Sequence, residues 1–329
     1  DKVLSLLAEG RKVQTKLCAF ERAQILENLS NLLKKHSEEL SQLVTKEVGK
    51  TIADSRVELT RLANTAFASS FEARNIPGHA IDVAAFPPYK NNVAMVLRRP
   101  IGTILCITPF NFPINLALHK IGPAFAVGNT IFFKPGPQNY QSGKRLVELC
   151  HEAGMPKETI QFCYPDIAEL EEVIAGDGIH CVSFTGGTAT ADAIAKNAGR
   201  KKLLFELGGN DPLILMPDGD IDLAVSTTIN QRFATAGQRC SAAKRLFIHE
   251  DCYEEFKNKL VESTSQLVVG DPTKDETFVG PVVSKQSADL VQLRIQDAIK
   301  QGATCLIGNI RDGNIIYPTI LENLNLDSD

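Results

Sequence analysis

The sequence predicts an α/β protein: a parallel sheet covered by helices on both faces, followed by a second α/β unit. Three observations predict it. Beyond Gly102, short apolar runs alternate with helical patterns as far as Glu206, the rhythm of strand–helix–strand units. The runs, such as Thr103-Ile104-Leu105-Cys106-Ile107, are continuously apolar, as strands buried on both faces are. A fresh alternation then starts after Gly208-Gly209-Asn210, and 329 residues suffice for two domains.

Residues 1–75 read as helices, because Ala23, Leu26, Leu29, Leu32 and Leu33, and later Leu40, Leu43 and Val44, recur at three-to-four spacing. Asn75-Ile76-Pro77-Gly78 breaks this pattern. Residues 79–99, with Pro87-Pro88 and the run Val93–Leu97, read as an extended hairpin that bridges or oligomerises. Strands are expected at 103–107, 130–133, 159–162, 180–184 and 203–206. Helices are expected between them at 114–127, 140–153, 168–175 and 188–197. The second unit is expected to have strands at 212–215 and 245–249, with helices at 220–233, 253–268 and 285–301. The domain division is therefore 1–78 with 100–208, the hairpin 79–99, and 209–329.

Lys+Arg 35 against Asp+Glu 39 gives a formal charge of −4, which argues against a dedicated nucleic-acid binder. No apolar run approaches the roughly 18 residues a membrane-spanning helix needs, and the start does not read as a signal peptide. The eight cysteines form no C-x-x-C pair and the six histidines are dispersed, so no metal cluster is expected. Reduced thiols and a cytoplasmic location follow as expectations.

In a parallel sheet, ligands bind at the carboxyl ends of the strands, so the strand exits are the places to search. At the first, Thr108-Pro109-Phe110-Asn111-Phe112-Pro113, the Asn111 amide either donates into a cleft or caps the following helix. At the second, Thr185-Gly186-Gly187-Thr188, two glycines before a helix suit a phosphate or simply a tight turn. Lys134, at another strand exit, adds a positive charge to the same ligand or is merely solvated. In Gly237-Gln238-Arg239-Cys240-Ser241-Ala242 a cysteine lies beside Arg239 and close to Lys244, and positive neighbours favour a thiolate. Glu206 ends an apolar strand, a place for a paired carboxylate or a proton acceptor. Together these residues describe a thiol nucleophile, a general base, an oxyanion donor and a phosphate-binding turn.

The strings ITPFNFP (107–113), FKPG (133–136), SFTGG (183–187), FELGGNDP (205–212) and GQRCSA (237–242) occur in order, and with them the chain resembles the aldehyde dehydrogenase superfamily over essentially its whole length. The resemblance implies a Rossmann-like cofactor domain plus an incomplete catalytic domain, and oxidation of an aldehyde with NADP or NAD. By the family pattern Cys240 attacks the aldehyde, Asn111 and the Cys240 backbone N–H hold the oxyanion, and Glu206 activates water to hydrolyse a thioester. Ile107, Thr108, Pro109, Phe110, Lys134, Gly136, Pro137, Gly186, Gly187 and Leu207 would contact the cofactor. Glu206 favours hydrolysis over acyl transfer.

There are departures. Relatives commonly have glycines where this chain has Cys163-Tyr164-Pro165-Asp166, a serine at Gly187, and a helix glycine at Ala191. Their ribose-binding glutamate is Pro137 here, which tolerates a 2′-phosphate and leans the expectation toward NADP or dual use. The family's Glu-(Ile/Val)-Phe-Gly-Pro segment and its C-terminal oligomerisation strand do not follow Asn323, nor do the N-terminal strands precede Asp1. A truncated chain is expected, the full-length protein being a homodimer or homotetramer. Arg239 either contacts an anionic aldehyde, such as a semialdehyde or a phosphorylated one, or makes a structural ion pair. The alternatives are a catalytically silent family member and a cofactor-independent thiol esterase.

Overall fold

The computed structural model describes residues 2–83, 89 and 91–325. Four helices come first: α1 (Lys2–Gln14), α2 (Ala19–Lys35), α3 (Ser37–Val48) and α4 (Ile52–Arg74). Gly49, left-handed at φ 73°, ends α3, and Thr51 starts α4 by accepting from Asp54 N. Strands β1 (His79–Ile81) and β2 (Ala94–Val96) then pair antiparallel. Pro87 and Pro88 of the expected hairpin lie outside the described residues.

The sheet is built from β3 (Thr103–Ile107), α5 (Asn115–Ala126), β4 (Thr130–Lys134), α6 (Tyr140–Glu152), β5 (Ile160–Phe162), α7 (Ile167–Ala175), β6 (Cys181–Thr185), α8 (Thr188–Asn197) and β7 (Lys202–Glu206). All five strands are parallel, in the order β5-β4-β3-β6-β7. The order reverses at β3, so the crevice outside its carboxyl end, between β3 and β6, is where a ligand fits. Side chains alternate across the sheet with period two. Ile104, Cys106, Ile131 and Phe133 face a core shared with α2, α4, α5 and α6. Leu105, Ile107, Phe132, Val182 and Phe184 face Leu7 of α1, Ile174 of α7 and Ile194 of α8. Burial on both faces is why these strands carry no polar alternation. β7, at the edge, alternates instead, with Leu204 half-exposed.

The second unit pairs β8 (Asp211–Leu215) with β9 (Ala243–Ile248) in parallel, joined by α9 (Ile221–Arg232), and continues through α10 (Glu250–Ser265) and α11 (Lys285–Lys300). Its core is Leu215, Val225, Ile229, Cys252, Phe256 and Leu260. The helix expected at 253–268 starts earlier, where His249 Nδ1 accepts from Asp251 N, and stops earlier. Val268 and Val269 leave it to bond with the segment at Phe278–Val279. The pairing of residues 304–307 with 320–322 was not foreseen from the sequence.

Candidate active site

Asn111 lies in the loop between β3 and α5, and two readings competed for it. Capping is done by another residue: Glu58 of α4 accepts from Ile114 N (3.1 Å) and Asn115 N (3.0 Å) through Oε1. Asn111 is thereby released from the helix end. Its Oδ1 accepts from Phe112 N (3.0 Å), and its Nδ2 donates to Gln238 O (2.7 Å), two residues before Cys240. One amide N–H remains for another acceptor. The loop is held from behind by Lys50, which donates to Glu58 Oε2 (2.7 Å) and Asn111 O (3.2 Å) and stands 3.6 Å from the Phe112 ring centroid. Burial pushes the Lys50 ammonium below its ordinary range, against the pull of Glu58.

The loop that carries Cys240 is built differently. Thr235, Ala236 and Gly237 have φ of 56°, 51° and 74°. Gly237 adopts this region freely, but Thr235, which is β-branched, and Ala236 each cost about 1 kcal/mol or more unless neighbours compensate. The compensation comes from Asp54 of α4. Its Oδ2 accepts from both Thr235 N and Thr235 Oγ1, each at 2.9 Å, while its Oδ1 takes Arg239 Nη2 at 3.1 Å. Arg239 Nε donates to Thr235 Oγ1 (3.1 Å), and Gln238 Oε1 accepts from Val283 N (3.0 Å). Arg239 is therefore in the structural ion pair, and among the described residues part of its fork has no partner. The Cys240 side chain is exposed, and Lys244 donates to the Cys240 carbonyl.

Gly209, in the loop after β7, meets this segment backbone to backbone. A Cβ there would lie 2.9 Å from Cys240 O and 2.6 Å from Asp211 Oδ2, so only glycine allows the approach. Glu206, at the end of β7, precedes that contact. Its carbonyl accepts from Gly186 N at 3.1 Å, and it pairs in register with Thr185. The Glu206 side chain is exposed and lines a cavity of about 320 Å³ with Lys120, His119, Ser183 and Thr185. Lys120 donates to Ser183 Oγ (3.1 Å). Burial holds its ammonium below the ordinary range, opposed by Cys106 and Glu206. The sequence reading missed Lys120, although a lysine inside the apolar helix α5 is a visible signal.

A second cavity, of about 610 Å³, opens at the carboxyl ends of the strands. Ile107, Thr108, Pro109, Phe110, Lys134, Gly136, Pro137, Gly186 and Gly187 all line it. Leu207 is instead packed against the core beneath. The sequence did not reveal the opposite wall, Leu170 and Ile174 of α7 with Ala193 and Asn197 of α8, because apolar helix residues read as core. Gly186 leaves no room for a side chain, since a Cβ would lie 2.4 Å from the Phe184 ring. Gly187 has open space at that position and an ordinary φ of −76°.

The lining fits a phosphate-bearing dinucleotide. The N-terminus of α8 points amide donors at it. The Thr108 hydroxyl is buried without a partner. Lys134, its ammonium lowered by burial, has no carboxylate partner among the described residues and rests 5.4 Å from the Tyr164 ring centroid. Among those residues no group of three or more His, Cys, Asp or Glu is placed to hold a metal ion.

An α/β sheet with a nucleotide-sized cavity at its switch point and a cysteine loop beside it defines the class. Residues 5–329 match the model of the aldehyde dehydrogenase family, and the chain belongs to that family. It is 56% identical over 326 residues to the sulfoacetaldehyde dehydrogenase of Neptuniibacter caesariensis, covering 99% of this chain and 72% of that protein. It is 37% identical over 309 residues to the 3-sulfolactaldehyde dehydrogenase of Priestia aryabhattai, covering 94% of this chain and 65% of that one. The NADP-dependent glyceraldehyde-3-phosphate dehydrogenase of Bacillus halodurans, solved with NADP, superposes with a TM-score of 0.95 at 33% identity, covering 99% of this chain and 69% of that one. The chain thus spans about two thirds to three quarters of the length of these relatives. No helix among the described residues is long and apolar enough to cross a membrane.

Proposed function

We propose that this chain supplies the cofactor site and the nucleophile of a dehydrogenase that oxidises a small anionic aldehyde, a sulfonated one foremost, to the carboxylic acid. The observation that carries the reading is the bond from the Asn111 amide to the Gln238 carbonyl, which draws the oxyanion donor to the loop bearing Cys240. The Cys240 thiolate adds to the carbonyl carbon, and the oxygen that becomes negative is held by the free Asn111 N–H and the Cys240 backbone N–H. A nicotinamide dinucleotide supplies the hydride acceptor when bound. Lys134, the Gly186 turn and the α8 terminus hold its phosphates, and Ile107–Phe110 form the floor. Glu206 then takes a proton from the water that adds to the Cys240 thioester, releasing the acid and the thiolate.

NADP and NAD both fit, since Pro137 presents no carboxylate to repel a 2′-phosphate and Lys134 stands ready to pair with one. The anionic substrate is supported by the names of the relatives and by the unpartnered edge of the Arg239 fork, whose geometry suits a sulfonate, phosphate or carboxylate. The full-length protein is proposed to be a cytoplasmic homodimer or homotetramer.

The test is nicotinamide reduction by the full-length protein, with NAD and NADP, across sulfoacetaldehyde, succinate semialdehyde, glyceraldehyde 3-phosphate and a neutral aldehyde. Reduction fastest with the anionic aldehydes and lost in Cys240→Ala is expected. Arg239→Leu should raise KM for the anionic aldehydes about tenfold or more, and little for the neutral one. A protein that binds nucleotide yet reduces none with any aldehyde overturns the reading.

A further inference from the structure

We infer that Asp54 is a positioning residue with two separable tasks, one assigned to each carboxylate oxygen. Its kinetic arm rests on the dehydrogenase reading. Oδ2 receives both donors of Thr235 and fixes the left-handed turn Thr235-Ala236-Gly237, from which the chain reaches Cys240. Oδ1 receives Arg239 Nη2 and fixes which edge of the guanidinium stays open.

The first task governs where the thiol sits. A turn of three left-handed residues is not one the chain adopts unaided, and replacing two hydrogen bonds to a carboxylate with none lets it relax. Relaxation by about 1 Å at a nucleophile is enough to slow a reaction about a hundredfold. The second task governs affinity for an anion. Arg239 is bracketed by Asp54 Oδ1, by Thr235 Oγ1 and by the Phe112 ring, 5.6 Å from its guanidinium carbon. With Oδ1 gone, the fork is free to turn from the aldehyde. Lys50 pairs with Glu58 but also feels the charges of Asp54 and Arg239 and shares the Phe112 ring with Arg239, and Lys244 pairs with Asp211. Among the described residues the carboxylate that contacts both Thr235 and Arg239 is Asp54.

Two variants of the full-length protein separate the tasks. Asp54→Asn keeps an oxygen for Thr235 but turns an amide N–H toward Arg239. It should leave kcat within about threefold of the parent and raise KM roughly tenfold for an anionic aldehyde, with little change for a neutral one. Asp54→Ala loses both contacts, so kcat should fall about a hundredfold with the neutral aldehyde as well.

A third measurement needs no cofactor and no oxidation: alkylation of Cys240 by iodoacetamide, followed by mass spectrometry, with exposed Cys18 as the internal reference. In Asp54→Ala the relaxed turn should move the Cys240 rate at least about threefold, in either direction, relative to Cys18. Asp54→Asn and Asp54→Ala with the same kcat and the same KM pattern would overturn the assignment. So would a Cys240 alkylation rate unchanged in Asp54→Ala. If the parent oxidises no aldehyde, the dehydrogenase reading fails, and the alkylation arm still decides for or against Asp54.

Discussion

The two loops that meet at the site are held by the same helix in opposite ways. Behind Asn111, Lys50 and Glu58 form an ion pair whose side chains are 1% and 0% exposed. Behind Cys240, Arg239 and Asp54 form one at 19% and 21%. The first is desolvated and surrounded by donors it needs: Glu58 accepts from Lys50, Ile114 N and Asn115 N. The second borders solvent and braces a turn whose φ values are unfavourable. The Asn111 side is therefore anchored in the folding core, whereas the Cys240 side is held by a half-buried clamp at its border. Burial makes a clamp costly to break, and exposure makes it adjustable.

Substitutions sharpen the contrast. Glu58→Ala strands a buried ammonium and uncaps α5, so it should destabilise the full-length protein by about 3–5 kcal/mol in denaturant unfolding. A loss below about 1 kcal/mol would mean that the pair is not desolvated in solution. Replacing both partners, as Lys50→Met with Glu58→Leu, removes the stranded charge and should cost less than Glu58→Ala alone. Should the double variant be the worse of the two, the contacts of Lys50 with Asn111 O and the Phe112 ring outweigh the stranded charge. The smallest effect is expected at the half-buried clamp. A double-mutant cycle between Asp54 and Arg239 should give a stability coupling of about 1 kcal/mol or less, shrinking as salt is raised. A coupling as large as that of Lys50 with Glu58 would erase the difference between the two sides.

The candidate residues were legible because they sit in short strings at connections between elements. Asn111 and the Gly186 turn follow parallel strands, Glu206 ends one and Cys240 lies between α9 and β9, each a residue type its position does not otherwise need. The supports were not legible. Asp54 reaches Thr235 across 181 residues of chain, and Glu58 reaches Ile114 across 56. In the sequence both are only acidic positions on an amphipathic helix. Arg239 illustrates the same limit, since nothing local shows that its carboxylate partner lies on α4. The outer wall of the nucleotide cavity was hidden for another reason, because Leu170, Ile174 and Ala193 carry the apolar pattern of any packed helix. Element boundaries failed where a tertiary contact intervened, as at Val268, where pairing with the segment at 278–279 ends α10 early.

Asp54 and Glu58 are four residues apart on α4, about 6 Å along the axis at 1.5 Å per residue. One grips the thiol's loop and the other the amide's loop. The Cys240 loop and the Asn111 loop are therefore anchored one turn of helix apart. If α4 slides or tilts as the molecule breathes, both loops travel with it.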